Sequence, residues 1–486
     1  MKLKEIKGFK SIKESFQTKQ VKYGGYAALL TVAVIVGLIL INLMAGQASP
    51  RISQIDLTEN RLFSLSEQTT QLLDRLDTPV RFYGLWRPGE EDTNLINVIN
   101  LYLARSRNIS LELIDPDRNP GFMMRYDRER RGIARGSLIV EGERAFRIIT
   151  PREMYDFTMT QGGGVTIHAM TMERRITSAL LFAATGEIPV IYEITGHLET
   201  PLAALGLDAL LELENYSLRT LNLLLSAVPD DATAVIINNP QRDLSAAGAE
   251  RLLDYLESGG RLLVVANYLI QELPNLNSVL ASYGLRFDYG IVHETDPNYI
   301  VFDARTAWPD MLEHEITAPL ADKTRTPVVL IEAMPISQLE TRRRTVEVAP
   351  LMITSPSAFL RTDLDNNSAA RIPSDISGPF ILGAAAIDPS WVQGDEPQAR
   401  IVAIGCGGLL TLGAQGIDGN RDLFMNSLTW LQDRPENITI RARSLFLLPM
   451  RLNVAQVVIF GAVFILFIPA AFFITGFVTW LKRRHL

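Results

Sequence analysis

Lysine is nearly absent from the body of this chain. Between residues 23 and 481 the only one is Lys323, in Ala-Asp-Lys-Thr with no glycine-rich turn before it. A Walker-type phosphate loop needs a lysine after such a turn, so the chain carries no Walker ATPase of its own. Cysteine is scarcer still. Cys406 stands alone, which excludes an intramolecular disulfide and any Cys-x-x-Cys dithiol chemistry. It lies in the apolar run Ile401-Val-Ala-Ile-Gly-Cys and is expected to pack as a small core residue. There are five histidines, His168, His197, His293, His314 and His485, and none forms a His-Glu-x-x-His pair. No metal site or cofactor is expected. His293-Glu294 and Glu313-His-Glu315 read as solvated loop residues. The serine-nucleophile elbow Gly-x-Ser-x-Gly is missing as well.

Charge is also absent from two long runs. Tyr23 to Pro50 and Leu452 to Leu481 contain no Asp, Glu, Lys or Arg. Each exceeds the ~20 apolar residues that a helix needs to cross a bilayer. Seven lysines precede the first run, and Lys482, Arg483 and Arg484 follow the second. By the positive-inside rule both ends stay cytoplasmic and the intervening residues lie across the membrane. A cleaved signal peptide ending near Ala45-Gly-Gln-Ala48 is the competing reading of the first run. The long basic leader and long apolar run favour an uncleaved anchor.

The whole chain is −7, its first 22 residues are +5 and its last five +3, so residues 23–481 carry −15. An acidic body with no basic stripe is a poor nucleic-acid binder. The basic ends suit anionic lipid headgroups or a cytoplasmic partner.

The periodicities predict two α/β domains. In the first, about 50–186, Ser64-Leu-Ser-Glu67 has capping-box spacing and predicts a helix from Ser64 to Leu76. A strand at 80–86, a helix at 94–106, an alternating strand at 109–115 and a hairpin over 137–149 follow. The second domain, 187–440, alternates short apolar strands (188–194, 217–223, 234–238, 261–267) with helices at 201–214 and 245–258. That order predicts a mostly parallel sheet covered on both faces. An irregular insertion is expected at about 290–380, before strands at 380–386 and 400–405 and a helix at 421–431. With spans at 23–48 and 452–481 and basic tails at 1–22 and 482–486, the fold class is α/β flanked by two membrane helices.

Candidate ligand- or partner-binding residues sit just past the predicted strands. Gly196, His197 and Glu199 follow the strand at 188–194, in the crevice where open α/β sheets bind ligands. The favoured readings are a turn in which His197 bonds to backbone, or a ligand or partner contact; a membrane-anchored hydrolase using His197 and Glu199, and a structural scaffold of a cell-envelope machine, are the alternatives. Catalysis by a His197–Glu199 pair lacks a nucleophile. Asn238, Asn267, Gly405 and Gly407 occupy comparable strand ends. Gly162-Gly-Gly164 lacks a preceding strand and reads as a flexible loop.

In this order the segments resemble the auxiliary membrane component of gliding-motility-type ABC transporters, the GldG family. The resemblance rests on Ile55-Asp-Leu-Thr-Glu-Asn-Arg-Leu-Phe-Ser-Leu-Ser, Leu113-Ile-Asp-Pro-Asp-Arg-Asn-Pro, Glu193-Ile-Thr-Gly-His-Leu-Glu, Leu256-Glu-Ser-Gly-Gly-Arg-Leu and Gly419-Asn-Arg-Asp-Leu-Phe-Met-Asn-Ser-Leu-Thr-Trp. It implies partnership with an ABC permease and a cytoplasmic ATPase, and no settled chemistry. The family's Gly-His-Gly-Glu appears here as Gly196-His197-Leu198-Glu199. The 187–435 stretch is similar to class I glutamine-amidotransferase folds, whose nucleophile elbow corresponds to Val264-Val-Ala-Asn-Tyr268, without a cysteine. The first domain resembles a thioredoxin-like arrangement.

Overall fold

The computed structural model describes residues 29–37, 64–127, 132–159, 165–268, 272–323, 326–340, 343–366, 368–389, 398–432, 443–444 and 461–484. The chain separates into a unit of residues 1–63 and one of 64–486. In the first unit only a helix at 29–37 is described, with Leu29, Leu30 and Val32 exposed. The rest of that apolar run, the basic leader, Ala45–Ala48 and Gly162–Gly164 lie outside the described residues.

The second unit is mixed α/β and contains two principal sheets. The smaller has four strands: β1 (Val80–Leu85), β2 (Ile109–Ile114), β3 (Leu138–Glu141) and β4 (Phe146–Ile149), in the order β2-β1-β3-β4. β1 and β2 are parallel, joined across helix α2 (Thr93–Arg105), and β3 and β4 form the expected antiparallel hairpin. Asp92 caps α2, its carboxylate accepting from the N–H groups of Asn94 and Leu95. Phe82 and Tyr102 meet edge to face beneath the sheet. On the opposite face Tyr83, Leu85 and Ile139 pack against helix α3 (Pro120–Tyr126).

Helix α1 (Glu67–Arg75) begins later than Ser64. Ser66 is the cap, accepting from the Thr69 N–H. The returning carboxylate comes from Glu173 rather than Glu67, accepting the Ser66 N–H at 2.6 Å. Glu173 sits in the first turn of helix α4 (Met172–Thr185). Between β4 and α4 lies a second antiparallel pair, β5 (Tyr155–Met159) and β6 (Val165–Met170).

The larger sheet has eight strands. β7 (Val190–Ile194), β8 (Ser217–Leu221), β9 (Ala232–Asn238) and β10 (Arg261–Val265) are joined by β11 (Asp310–Met311), β12 (Glu347–Ile353), β13 (Ile381–Asp388) and β14 (Ala399–Ile404). Their order is β11-β12-β13-β14-β10-β9-β7-β8. The five strands from β14 to β8 are parallel, and β11, β12 and β13 extend them antiparallel.

Both faces of the parallel strands are covered, which is why they read as continuous apolar runs. Ile191, Ile236, Leu263 and Val402 face helices α5 (Leu207–Leu213), α8 (Leu409–Ala414) and α9 (Asp418–Leu431). Tyr192, Val235, Val264 and Ile401 face α6 (Ala246–Glu257) and α7 (Pro274–Ser282). Ser245 caps α6 as expected.

Two further expectations about the elements need correction. The helix expected over 201–214 is broken: a 3-10 turn at Leu202–Leu205 and α5 flank Gly206, whose φ of +69° no regular helix accepts. The stretch 290–380 is not wholly irregular, since it supplies β11 and β12. Pro350 argues against a strand, and a bulge beside it, between Pro350 and Met352, accommodates it.

After β7 the chain builds β8 on one side and then returns to place β9 on the other. The β7/β9 boundary is therefore the topological switch point, the place where open α/β sheets bind ligands at the carboxyl ends of their strands.

At the far end a helical stretch runs from Ala462 through a π-helical segment, Ala462–Phe467, into an α-helix, Ile468–Arg484. Ala462–Leu481 has mean hydropathy 2.3, none of it buried against the protein. Its length and composition suit a membrane crossing.

Candidate functional site

The candidate residues line the carboxyl edge of the parallel strands. Beyond β7, Thr195 is pinned to β8, its N–H donating to the Leu221 carbonyl at 2.8 Å. Gly196 follows with φ +117°, and a Cβ there would lie 3.2–3.4 Å from the Asn222 amide. Only glycine suits that position. Leu198 also has positive φ, 60°, and is 61% exposed.

Between them the chain folds back on its own carboxylate. Glu199 Oε2 accepts the His197 N–H at 2.8 Å, and Oε1 lies 2.8 Å from His197 Nδ1. An ionised carboxylate only accepts, so Nδ1 carries the proton. The His197 carbonyl accepts the N–H groups of Gln241 and Arg242, at 2.9 and 3.1 Å, tying this turn to the loop after β9. Burial alone would push the Glu199 carboxyl up. Hydrogen bonds from the His197 ring and from the Glu199 and His197 backbone outweigh it and hold the carboxyl below its ordinary value.

His197 is buried, and its Nε2 is enclosed without a hydrogen-bond partner. Asn238, the last residue of β9, donates from Nδ2 to the Thr200 carbonyl at 2.7 Å, and its Oδ1 is likewise enclosed and unpartnered. Two orphaned buried polar atoms therefore flank the switch point.

The structure divides the remaining candidates. Gly407 is pressed between side chains: a Cβ would fall 2.3 Å from Asn239 Oδ1 and 2.5 Å from Asn267 Cβ. Gly407 and Asn267 thus meet around Asn239, which is bonded to Thr200 and Gln241 beside the His197–Glu199 turn. Gly405 belongs to the sheet. Its carbonyl accepts the Met334 N–H at 2.7 Å and its N–H donates to Leu382 at 3.0 Å. A cavity of about 320 Å³ beside Asn267 is lined by Asn277, Arg286, Asp288, Tyr289 and Met334. Arg286 is already neutralised by Asp288, at 2.8 and 3.0 Å. With Glu272 also on its wall, the cavity disfavours a phosphate.

Sequence reasoning missed three participants. Asn239, at φ 53°, donates to Thr200 Oγ1 at 3.1 Å and accepts from Gln241 Nε2 at 3.0 Å. Glu193, buried within β7, accepts the Leu202 N–H at 2.7 Å. Burial pushes its carboxyl up, against that hydrogen bond. A carboxylate inside an apolar strand was the available signal for Glu193. Nothing local distinguished Asn239 or Thr200.

The other reactive groups are spoken for. Cys406 is buried, donates to the Ile331 carbonyl, and has its thiol pushed up by burial to about 11, which suits packing rather than nucleophilic attack. Lys323 pairs with Asp310 at 2.6 Å and lies over the Tyr299 ring at 4.0 Å. His293 and Glu294 are not solvated loop residues: they are 2% and 1% exposed. His293 stacks on Phe359, and Glu294 accepts from Ser355, Thr295 and Asp296. The polar local sequence hid a pocket closed by the distant Ser355–Arg361 segment. His314 is half-buried, accepts the Ile316 N–H and meets Trp430 edge-on. Among the described residues no group of three or more His, Cys, Asp or Glu is placed to hold a metal.

No family model matches the chain, and no curated protein matches it. Among solved structures, the mmIFT52 N-terminal domain aligns at 16% identity and TM-score 0.35, over 50% of this chain and 96% of that one. The exo-beta-1,4-mannosidase Op5Man5 from Opitutaceae bacterium strain TAV5 aligns at 9% identity and TM-score 0.26, over 69% and 48%. Neither likeness is close enough to argue fold or activity.

Proposed function

We propose that this chain is a non-catalytic accessory subunit of an ABC transport complex in a bacterial cytoplasmic membrane. Both basic ends lie in the cytoplasm, and the acidic α/β body stands outside, binding a ligand or a protein. The observation that carries the reading is the helix Ala462–Leu481. Its exposed Phe464, Ile465, Phe472, Phe473 and Ile474 form a surface that lipid or other membrane helices would cover. Gly461 and Ala462 offer the small residues at which a permease helix packs closely. Energy comes from a separate ATPase subunit, because the chain lacks a phosphate loop.

The order β2-β1-β3-β4 with a helical crossover supports a thioredoxin-like first domain. The order β8-β7-β9-β10-β14 supports a flavodoxin- or amidotransferase-like second domain. The exposed Leu198 at the switch point of the latter, held over the buried His197, favours partner contact there. Purification of the tagged full chain in mild detergent tests the proposal. A multi-span permease and an ABC ATPase are expected to accompany it. Repeated recovery without either would sink it.

A further inference from the structure

We infer that the first turn of α4 is the joint that fastens both chain passages toward the apolar ends to the eight-stranded block, with Glu173 and Glu214 as its positioning carboxylates. Its link to the membrane rests on the anchored reading above.

Three connections meet there. On one side the segment following the first apolar run is held by Glu173. Its Oε1 accepts the Ser66 N–H at 2.6 Å and the Thr69 hydroxyl at 2.9 Å, and Thr69 Oγ1 also lies 3.0 Å from Thr177 Oγ1. On another side Arg443–Ser444, the last described residues before the C-terminal helix, pair antiparallel with Met170 and Ala169 of β6, immediately before α4. On the third side Arg174 and Arg175 both reach Glu214 Oε1, at 3.4 and 2.8 Å. Asn215 donates to the carbonyl and hydroxyl of Ser178 at 2.9 and 2.7 Å. Glu214 closes α5, the helix that follows the 195–200 turn.

The electrostatics make the joint dependent on its carboxylates. Arg174 and Arg175 are each 6% exposed. They stand at a helix N-terminus, where the backbone dipole disfavours cations. Without Glu214 two buried guanidiniums would face each other there, a strongly unfavourable arrangement. A shift of either passage displaces residues 169–175 and, through Arg174 and Arg175, the end of α5.

Hydrogen exchange on the full chain in detergent tests this without any partner, so its failure is separable from that of co-purification. Glu173→Gln is expected to speed amide exchange about tenfold or more at 66–75 and also at 207–221, and Glu214→Gln to do the same in reverse. Acceleration confined to the mutated side would overturn the joint. Should Glu173→Gln fold poorly, a Thr69→Cys/Thr177→Cys disulfide in that background is expected to restore slow exchange at 207–221. Cys406 is too deeply buried to compete. A formed disulfide that leaves 207–221 fast would equally refute the proposal.

Discussion

Lowering the pH should unfold this protein partly through one imidazole. His293 is 2% exposed, its ring 4.9 Å from and nearly parallel to that of Phe359, with Nδ1 enclosed and unpartnered. Burial, then the charges of Arg361 and Arg305, lower its pKa from 6.5 to about 4, against weaker opposition from Asp375 and Asp303. The sign follows from linkage: the unfolded chain takes up the proton first, so stability is complete above 6.5 and falls as the pH drops toward 4. With these two values the loss is about 2 kcal/mol by pH 5 and about 3 kcal/mol by pH 4. Phenylalanine fills the same slot without a titratable group. Urea denaturation of the full-length wild type and His293→Phe, followed by tryptophan fluorescence in detergent at pH 7.5 and 5, isolates the term. Other groups titrate in both proteins and cancel in the difference. The wild type should lose about 2 kcal/mol more than the variant between those pH values. Equal losses would show that His293 is protonated in the folded protein.

Two further substitutions test the carboxyl edge. Leu198 holds φ 60°, which costs a branched residue about 1 kcal/mol and asparagine less, so Leu198→Asn should raise the urea midpoint at unchanged slope. A lowered midpoint would mean that Leu198 makes contacts worth more than its strain. Gly407→Ala would place a methyl 2.3 Å from Asn239 Oδ1 and should destabilise the protein by about 1–3 kcal/mol. An unchanged melting curve would show that Asn239 and Asn267 move apart freely.

Local sequence chemistry revealed what local forces decide. β7, β9, β10 and β14 were legible because burial on both faces gives each a short apolar run between polar ends. The Ser245 cap of α6 and the hairpin β3–β4 were legible because their signals lie within a few residues. The failures share a different cause. Ser64-Leu-Ser-Glu67 satisfied a capping rule, yet the cap moved to Ser66 because Glu173, over a hundred positions away, supplies the carboxylate. β12 was hidden by Pro350, whose lost hydrogen bond matters only once its neighbour in the sheet is known.

The 196–199 turn falls between these cases and bears on what the site is for. The resemblance pointed to a glycine where this chain has Leu198, and losing it weakened the case that a ligand approaches the backbone. The backbone at 198 nevertheless keeps the left-handed conformation that glycine favours. At 198 the shape of the turn is therefore set by the Glu199 carboxylate folding onto the His197 N–H and ring, with glycine required only at 196. The leucine adds a 61% exposed apolar side chain at the tip. A strained, exposed leucine above an enclosed imidazole fits recognition of another surface better than proton transfer, which would need Nε2 open to a reacting group.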